Sequence, residues 1–167
     1  MILHPSRPWM LLLAGLAVLS LAPCVAQSQE LDQTATEVSA TWHAYLDAFV
    51  AGRPAFIADS IFSAPMFNST AEGLFTAASS VEVEAGFRFL IDALVADGYD
   101  RTEVLDERVC PLSDTVAILG AAYVRHRKDG SEMSRGSVTY VFMRLPTGWR
   151  ITTIVDHPPE RLISCNG

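Results

Sequence analysis

Several things are scarce in this sequence, and each scarcity removes a class of function. Lysine and arginine together number 12 against 19 acidic residues, for a formal charge of −7. An acidic chain without a basic stripe is a poor match for a phosphate backbone, so no nucleic-acid partner is expected. The four histidines, His4, His43, His126 and His157, show no His-Glu-x-x-His or other ligand spacing. No cysteine has a Cys or His at zinc-ligand distance either. A metal enzyme therefore has no support, and no cofactor is expected. Gly-x-Ser-x-Gly and a phosphate-cradling glycine loop are both missing. The chain also lacks internal repeats, low-complexity runs and any sign of a second domain.

Charge is absent over one long stretch. Arg7 is the only charged residue before Glu30, and an apolar run occupies residues 9–21. That run is too short to span a bilayer comfortably. Small residues close it at Ala22-Pro23-Cys24-Val25-Ala26, and polar Gln27-Ser28-Gln29 follow. This is the layout of a secretory signal peptide over residues 1–26, with Ala26 before the cut and Gln27 as the mature N-terminus. Two other readings use the same residues: an uncleaved membrane anchor, and a lipobox-like Leu21-Ala22-Pro23-Cys24 with Cys24 acylated. Cleavage removes one basic residue and no acid, so residues 27–167 form a still more acidic domain, secreted or periplasmic, with no stable membrane span.

Cysteine is nearly absent from that domain. Only Cys110 and Cys165 remain, and an exported chain meets an oxidising compartment. One disulfide between them is expected; the alternative is a buried Cys110 and a loose Cys165 as separate thiols.

What is present is patterned. Residues 115–157 carry three β-branched and aromatic runs, broken at Lys128-Asp129-Gly130-Ser131 and at Pro146-Thr147-Gly148. That predicts a three-strand antiparallel meander. Upstream, Leu31, Ala35, Val38, Trp42, Tyr45, Leu46 and Phe49 recur at helical steps over residues 30–51, and Gly52 stops the helix. Pro54 suits the first turn of a short second helix over residues 54–61. Residues 62–75 read as short extended pieces. They hold Asn68-Ser69-Thr70, a glycosylation sequon only in a eukaryotic secretory route. Ser79 or Ser80 caps a third helix with the stripe Val83, Phe87, Leu90, Ile91 and Leu94, ended by Gly98. A more exposed strand is expected over residues 99–109, and an irregular tail from Pro158. Helices gathered before a run of strands indicate an α+β class.

Three stretches now carry a resemblance: Trp42-x-x-Tyr45-x-x-Ala48-Phe49-x-x-Gly52, Asp114-Thr115-Val116-Ala117-Ile118, and Gly148-Trp149-Arg150-Ile151 with His157. With the order of elements, they make residues 27–167 resemble the NTF2-like superfamily, in particular its SnoaL-like branch. The resemblance implies a cone: three N-terminal helices packed on a strongly curved antiparallel sheet, with a pocket at the open end. Ketosteroid isomerase-like members place a tyrosine seven residues before the glycine ending helix one, and Tyr45 and Gly52 match that spacing. Those enzymes also need a carboxylate just after the second helix and an acid in the strand corresponding to residues 138–145. This chain has neither, so that chemistry is rejected.

The candidates are therefore few. Trp42, Tyr45, Phe49, Trp149 and His157 are expected to line a binding pocket. Strand alternation from Trp149 would place Ile151, Thr153, Val155 and His157 on the inner face and Asp156 on the outer one. Asp59, on the second helix, faces either the pocket or water. Arg125, His126 and Arg127 form a basic knot beside a turn, where charges are usually solvated, though an anionic ligand could use them. The favoured reading is an exported module that holds a small apolar or amphipathic ligand. An enzyme of SnoaL-like type, a cyclase, isomerase or hydrolase using Tyr45, Asp59 or His157, is the alternative. A dimerisation module is a third, since a homodimer is also expected through the convex sheet face, where alternation would put Arg150, Thr152, Ile154 and Asp156.

Overall fold

The computed structural model describes residues 22–165. The leader expected at residues 1–26 lies, up to Leu21, outside the described residues, and Ala22 to Ala26 begin the first helix.

That helix, α1 (Ala22–Val50), buries Val38, Trp42, Tyr45, Ala48 and Phe49 along one stripe. Gly52 ends it in the left-handed region at φ 63°, a conformation only glycine adopts without strain. Pro54 then opens α2 (Pro54–Phe56), which runs into a π-helical turn over Ile57–Ile61. The residues that read as broken extended pieces form a hairpin, β1 (Phe62–Thr70) and β2 (Gly73–Ala77). In α3 (Ser80–Ala96), the Ser79 hydroxyl accepts from the Glu82 amide at 3.3 Å, and the Glu82 carboxylate accepts from the Ala78 amide at 2.8 Å. Four long strands follow: β3 (Tyr99–Pro111), β4 (Val116–Arg127), β5 (Glu132–Leu145) and β6 (Gly148–His157).

All six strands form one sheet in the order β2-β1-β6-β5-β4-β3. The meander β3 to β6 is antiparallel, as expected. The sheet as a whole is not: β1 lies parallel to β6, so it is mixed. A local pattern cannot reveal this, because the first and last strands meet across most of the chain.

The core lies between α1, α3 and the concave face of the sheet, around Leu119, Phe142, Ile151 and Phe62. Glu37 ties α1 to the β5–β6 hairpin. Its carboxylate accepts from Trp149 Nε1 at 3.0 Å and from Gln33 at 2.8 Å, and pairs with Arg144 at 3.1 Å. The bonds from Gln33 and Trp149, with the Arg144 charge, hold that carboxyl below its usual range. On the opposite side of the sheet, the tail returns over β4. A disulfide joins Cys110 to Cys165 with Cα atoms 5.3 Å apart, and Arg108 donates to the Ile163 carbonyl at 3.2 Å. Gly120 makes room for this tail: a Cβ there would sit 2.6 Å from Ile163 Cγ1.

Candidate functional site

A cavity of about 650 Å³ opens between α3, the β1–β2 hairpin and the concave sheet. Its apolar wall comes from Met66, Phe75, Val83, Phe87, Leu90, Val138 and Ile154. Helix α1 contributes one residue, Tyr45. The Tyr45 ring stands edge-on to Phe62, Phe87 and Tyr140, with centroids 5.5, 5.8 and 6.0 Å away. Burial pushes the phenols of Tyr45 and Tyr140 well above their ordinary range, so both keep their protons and can donate.

Polar residues are set into this wall as well. On β4, alternation from Ala117, Leu119 and Ala121 carries Tyr123 and Arg125 to the inner face. Tyr123 lies across its register partner Gly136, where a Cβ would meet the phenol oxygen at 3.0 Å. The Tyr123 ring in turn supports the Arg125 guanidinium at 4.9 Å. Arg125 Nε and Asn68 Oδ1 are both buried without a hydrogen-bond partner among the described residues. Asp156 lines the cavity too, exposed near the end of β6. Burial raises its carboxyl, against the lowering influence of Arg125 and His157.

Asp156 was expected on the outer face, together with Ile154, and both line the cavity instead. A β-bulge is the cause. Phe142 pairs with Ile151 and Val141 with Thr153, so Thr152 is an extra residue on β6. Past it, every side chain changes face. Trp149 and Ile151 are inside before the bulge; Ile154 and Asp156 are inside after it.

His157 is turned away from the cavity for the same reason. Its Nδ1 donates to the Pro158 carbonyl at 3.2 Å, and its Nε2 accepts from the Thr139 hydroxyl at 2.9 Å. Asp59 is exposed on the π-helical turn and does not line the cavity. Trp149 is buried and serves Glu37 rather than a pocket. Trp42 and Phe49 are also core residues; they border a void of about 20 Å³ behind Tyr45 and Tyr140. Of the five expected lining residues, Tyr45 alone borders the large cavity.

Sequence reasoning missed Asn68, Asp156, Tyr123 and Tyr140 as cavity residues, and it named Arg125 only within a turn cluster open to an anionic ligand. The basic knot is not a unit: His126 bonds Glu103 at 2.8 Å, Arg127 pairs with Asp97 at 2.9 Å, and Arg125 points inward. Alternation along β4 carried that signal for Arg125. Asn68, read as a sequon, has its side chain in the cavity wall. Among the described residues no group of three or more His, Cys, Asp or Glu side chains could hold a metal ion. No described helix is long and apolar enough to cross a membrane.

Comparison with known proteins agrees with this architecture. No curated protein matches the chain. An NTF2-like protein with a cystatin-like fold from Novosphingobium aromaticivorans superposes with a TM-score of 0.64 at 18% identity, over 85% of this chain and 90% of that one. A protein of the NTF2-like family from Streptomyces avermitilis, provisionally described as a dehydratase, gives 0.60 at 13% identity, over 76% and 96%. A domain of unknown function with a cystatin-like fold from Nostoc punctiforme gives 0.57 at 22% identity, over 75% of each chain. At these identities the likeness is one of fold. A family model, in contrast, matches residues 36–159 directly, from the buried stripe of α1 to the end of β6. With three helices laid against a curved mixed sheet as well, the chain belongs to the NTF2-like protein family DUF6841.

Proposed function

We propose that this protein is an exported binding module whose cavity holds a small amphipathic molecule. The observation that carries the reading is the make-up of the cavity wall. It is apolar over most of about 650 Å³, with a few polar groups, among them Arg125, Asn68 and Asp156, set into it. Ligand sites are built this way, with a few placed polar groups orienting a mostly apolar body. The leader-like residues 1–26 and the Cys110–Cys165 bridge support export to an oxidising compartment.

One observation favours a second reading, an enzyme. Asp156, its carboxyl raised by burial, shares the cavity with the Tyr45 and Tyr140 hydroxyls. A carboxyl that can hold or release a proton beside two donors suits acid–base chemistry.

Native mass spectrometry of protein purified from its host would identify a retained molecule, and paired variants then separate the readings. Tyr45→Phe keeps the fold and weakens binding by about 1 kcal/mol, the usual net value of one hydrogen bond. Asp156→Asn changes affinity alone in a binding module. In an enzyme the same change costs on the order of 100-fold or more in turnover while the ligand stays bound. Turnover by the parent protein that collapses in Asp156→Asn with affinity held overturns the binding reading.

A further inference from the structure

We infer that the cavity selects its ligand by a single carboxylate, received by Arg125, with the apolar body lying against α3 and the hairpin. The inference rests on the binding reading above and names the ligand's chemical class.

The neighbouring basic residues already have acidic partners, His126 with Glu103 and Arg127 with Asp97. Arg125 has no ion pair among the described residues, and its Nε is buried without an acceptor. A buried N–H lacking an acceptor is costly, and a ligand oxygen supplies what is missing. The guanidinium is also held in place: Gly136 admits the Tyr123 ring, and that ring backs the guanidinium at 4.9 Å. A planar fork fixed in this way matches the two oxygens of a carboxylate. Asn68 also lines the cavity, and its buried, unpartnered Oδ1 calls for a ligand donor rather than for the carboxylate.

Charge sets the valence. Asp156 borders the same cavity, and Glu82 stands at its edge on α3. These two carboxylates leave the cavity no surplus positive charge, so a dianion such as a phosphate monoester is opposed more strongly than a monoanion held by the guanidinium fork. Most of the remaining wall is apolar, and Phe87, Leu90, Met66 and Ile154 would meet the rest of the ligand.

Decanoate, decanol and decyl phosphate, titrated calorimetrically into the disulfide-bonded protein, test this. Decanoate should bind at least about tenfold more tightly than either analogue, as expected for a charge-assisted bidentate contact. Arg125→Met should abolish that preference while decanol affinity holds within about twofold. Arg125→Lys, which keeps the charge without the fork, should retain only part of it. Equal binding of decanoate and decanol, a preference surviving Arg125→Met, or tightest binding of decyl phosphate each overturns the carboxylate assignment and leaves the cavity reading standing. Gly86→Trp provides the separate control. Gly86 lines the cavity with open space around its missing Cβ, so an indole there blocks the site. Failure of all three probes to bind, or binding undiminished in a folded Gly86→Trp variant, overturns both readings.

Discussion

Asp156 is a carboxyl that the fold makes harder to ionise. Burial raises it above the value it has in the unfolded chain, so the folded protein holds that proton more tightly. Ionisation at neutral pH therefore opposes folding. The penalty is present above the folded value and fades as pH falls through the carboxylate range, below the unfolded value. Asp156→Asn is expected to raise the melting temperature at pH 7, with a gain that shrinks steadily toward acid. Thermal melts of both proteins across that range check it; a variant less stable at pH 7 contradicts the sign. Arg125 makes the complementary point about residues. It was grouped with two neighbours by sequence adjacency, yet its side chain faces the cavity while theirs pair elsewhere.

At the scale of elements, the decisive feature is the extra residue in β6. Helical and strand periods locate α1, α3 and the four long strands from local composition alone. A bulge leaves no comparable trace, since Thr152 is as strand-compatible as its neighbours. Its effect is nevertheless large: it exchanges His157 for Asp156 at the cavity. The tail strap is a second element effect. Gly120 is close-packed beneath Ile163, with an added Cβ only 2.6 Å from a side-chain carbon. Gly120→Val should lift the tail and cost about 1–3 kcal/mol, the range for overpacking. Trypsin is expected to cut after the neighbouring Arg161 more readily in the variant, with the cavity wall unaffected. Unchanged cleavage and unchanged stability would mean that the tail does not press on β4.

For the whole molecule, two predictions follow from how the ends are held. The Cys110–Cys165 bridge closes a loop with a sequence separation of 55, worth about 4 kcal/mol in the chain-entropy model. Cys165→Ser should lose much of that in denaturant titrations. A loss below about 1 kcal/mol would show that the tail contributes little restraint. We further propose a homodimer through the convex sheet face, and the bulge changes its expected composition. Thr153, Val155 and His157 replace Ile154 and Asp156 beside Arg150. Light scattering should give twice the protomer mass, with the midpoint of unfolding rising with concentration; a concentration-independent protomer mass rules the dimer out.

The amino-acid sequence by itself determined the long elements, the class, the two cysteines that could pair and the family resemblance, and it left open whether that pair closes. Each depends on information carried by neighbours in the chain: a 3.6-residue or two-residue period, a capping serine, a glycine at a left-handed turn, or a lone pair of cysteines. Tertiary structure alone decided that β1 runs parallel to β6, that the bulge turns Asp156 inward, and that Asn68, Arg125 and Asp156 share one cavity. Those outcomes depend on strand pairing between segments far apart in the chain. A side-chain period predicts which residues share a face only while the register is unbroken. One inserted residue reverses that assignment for everything beyond it.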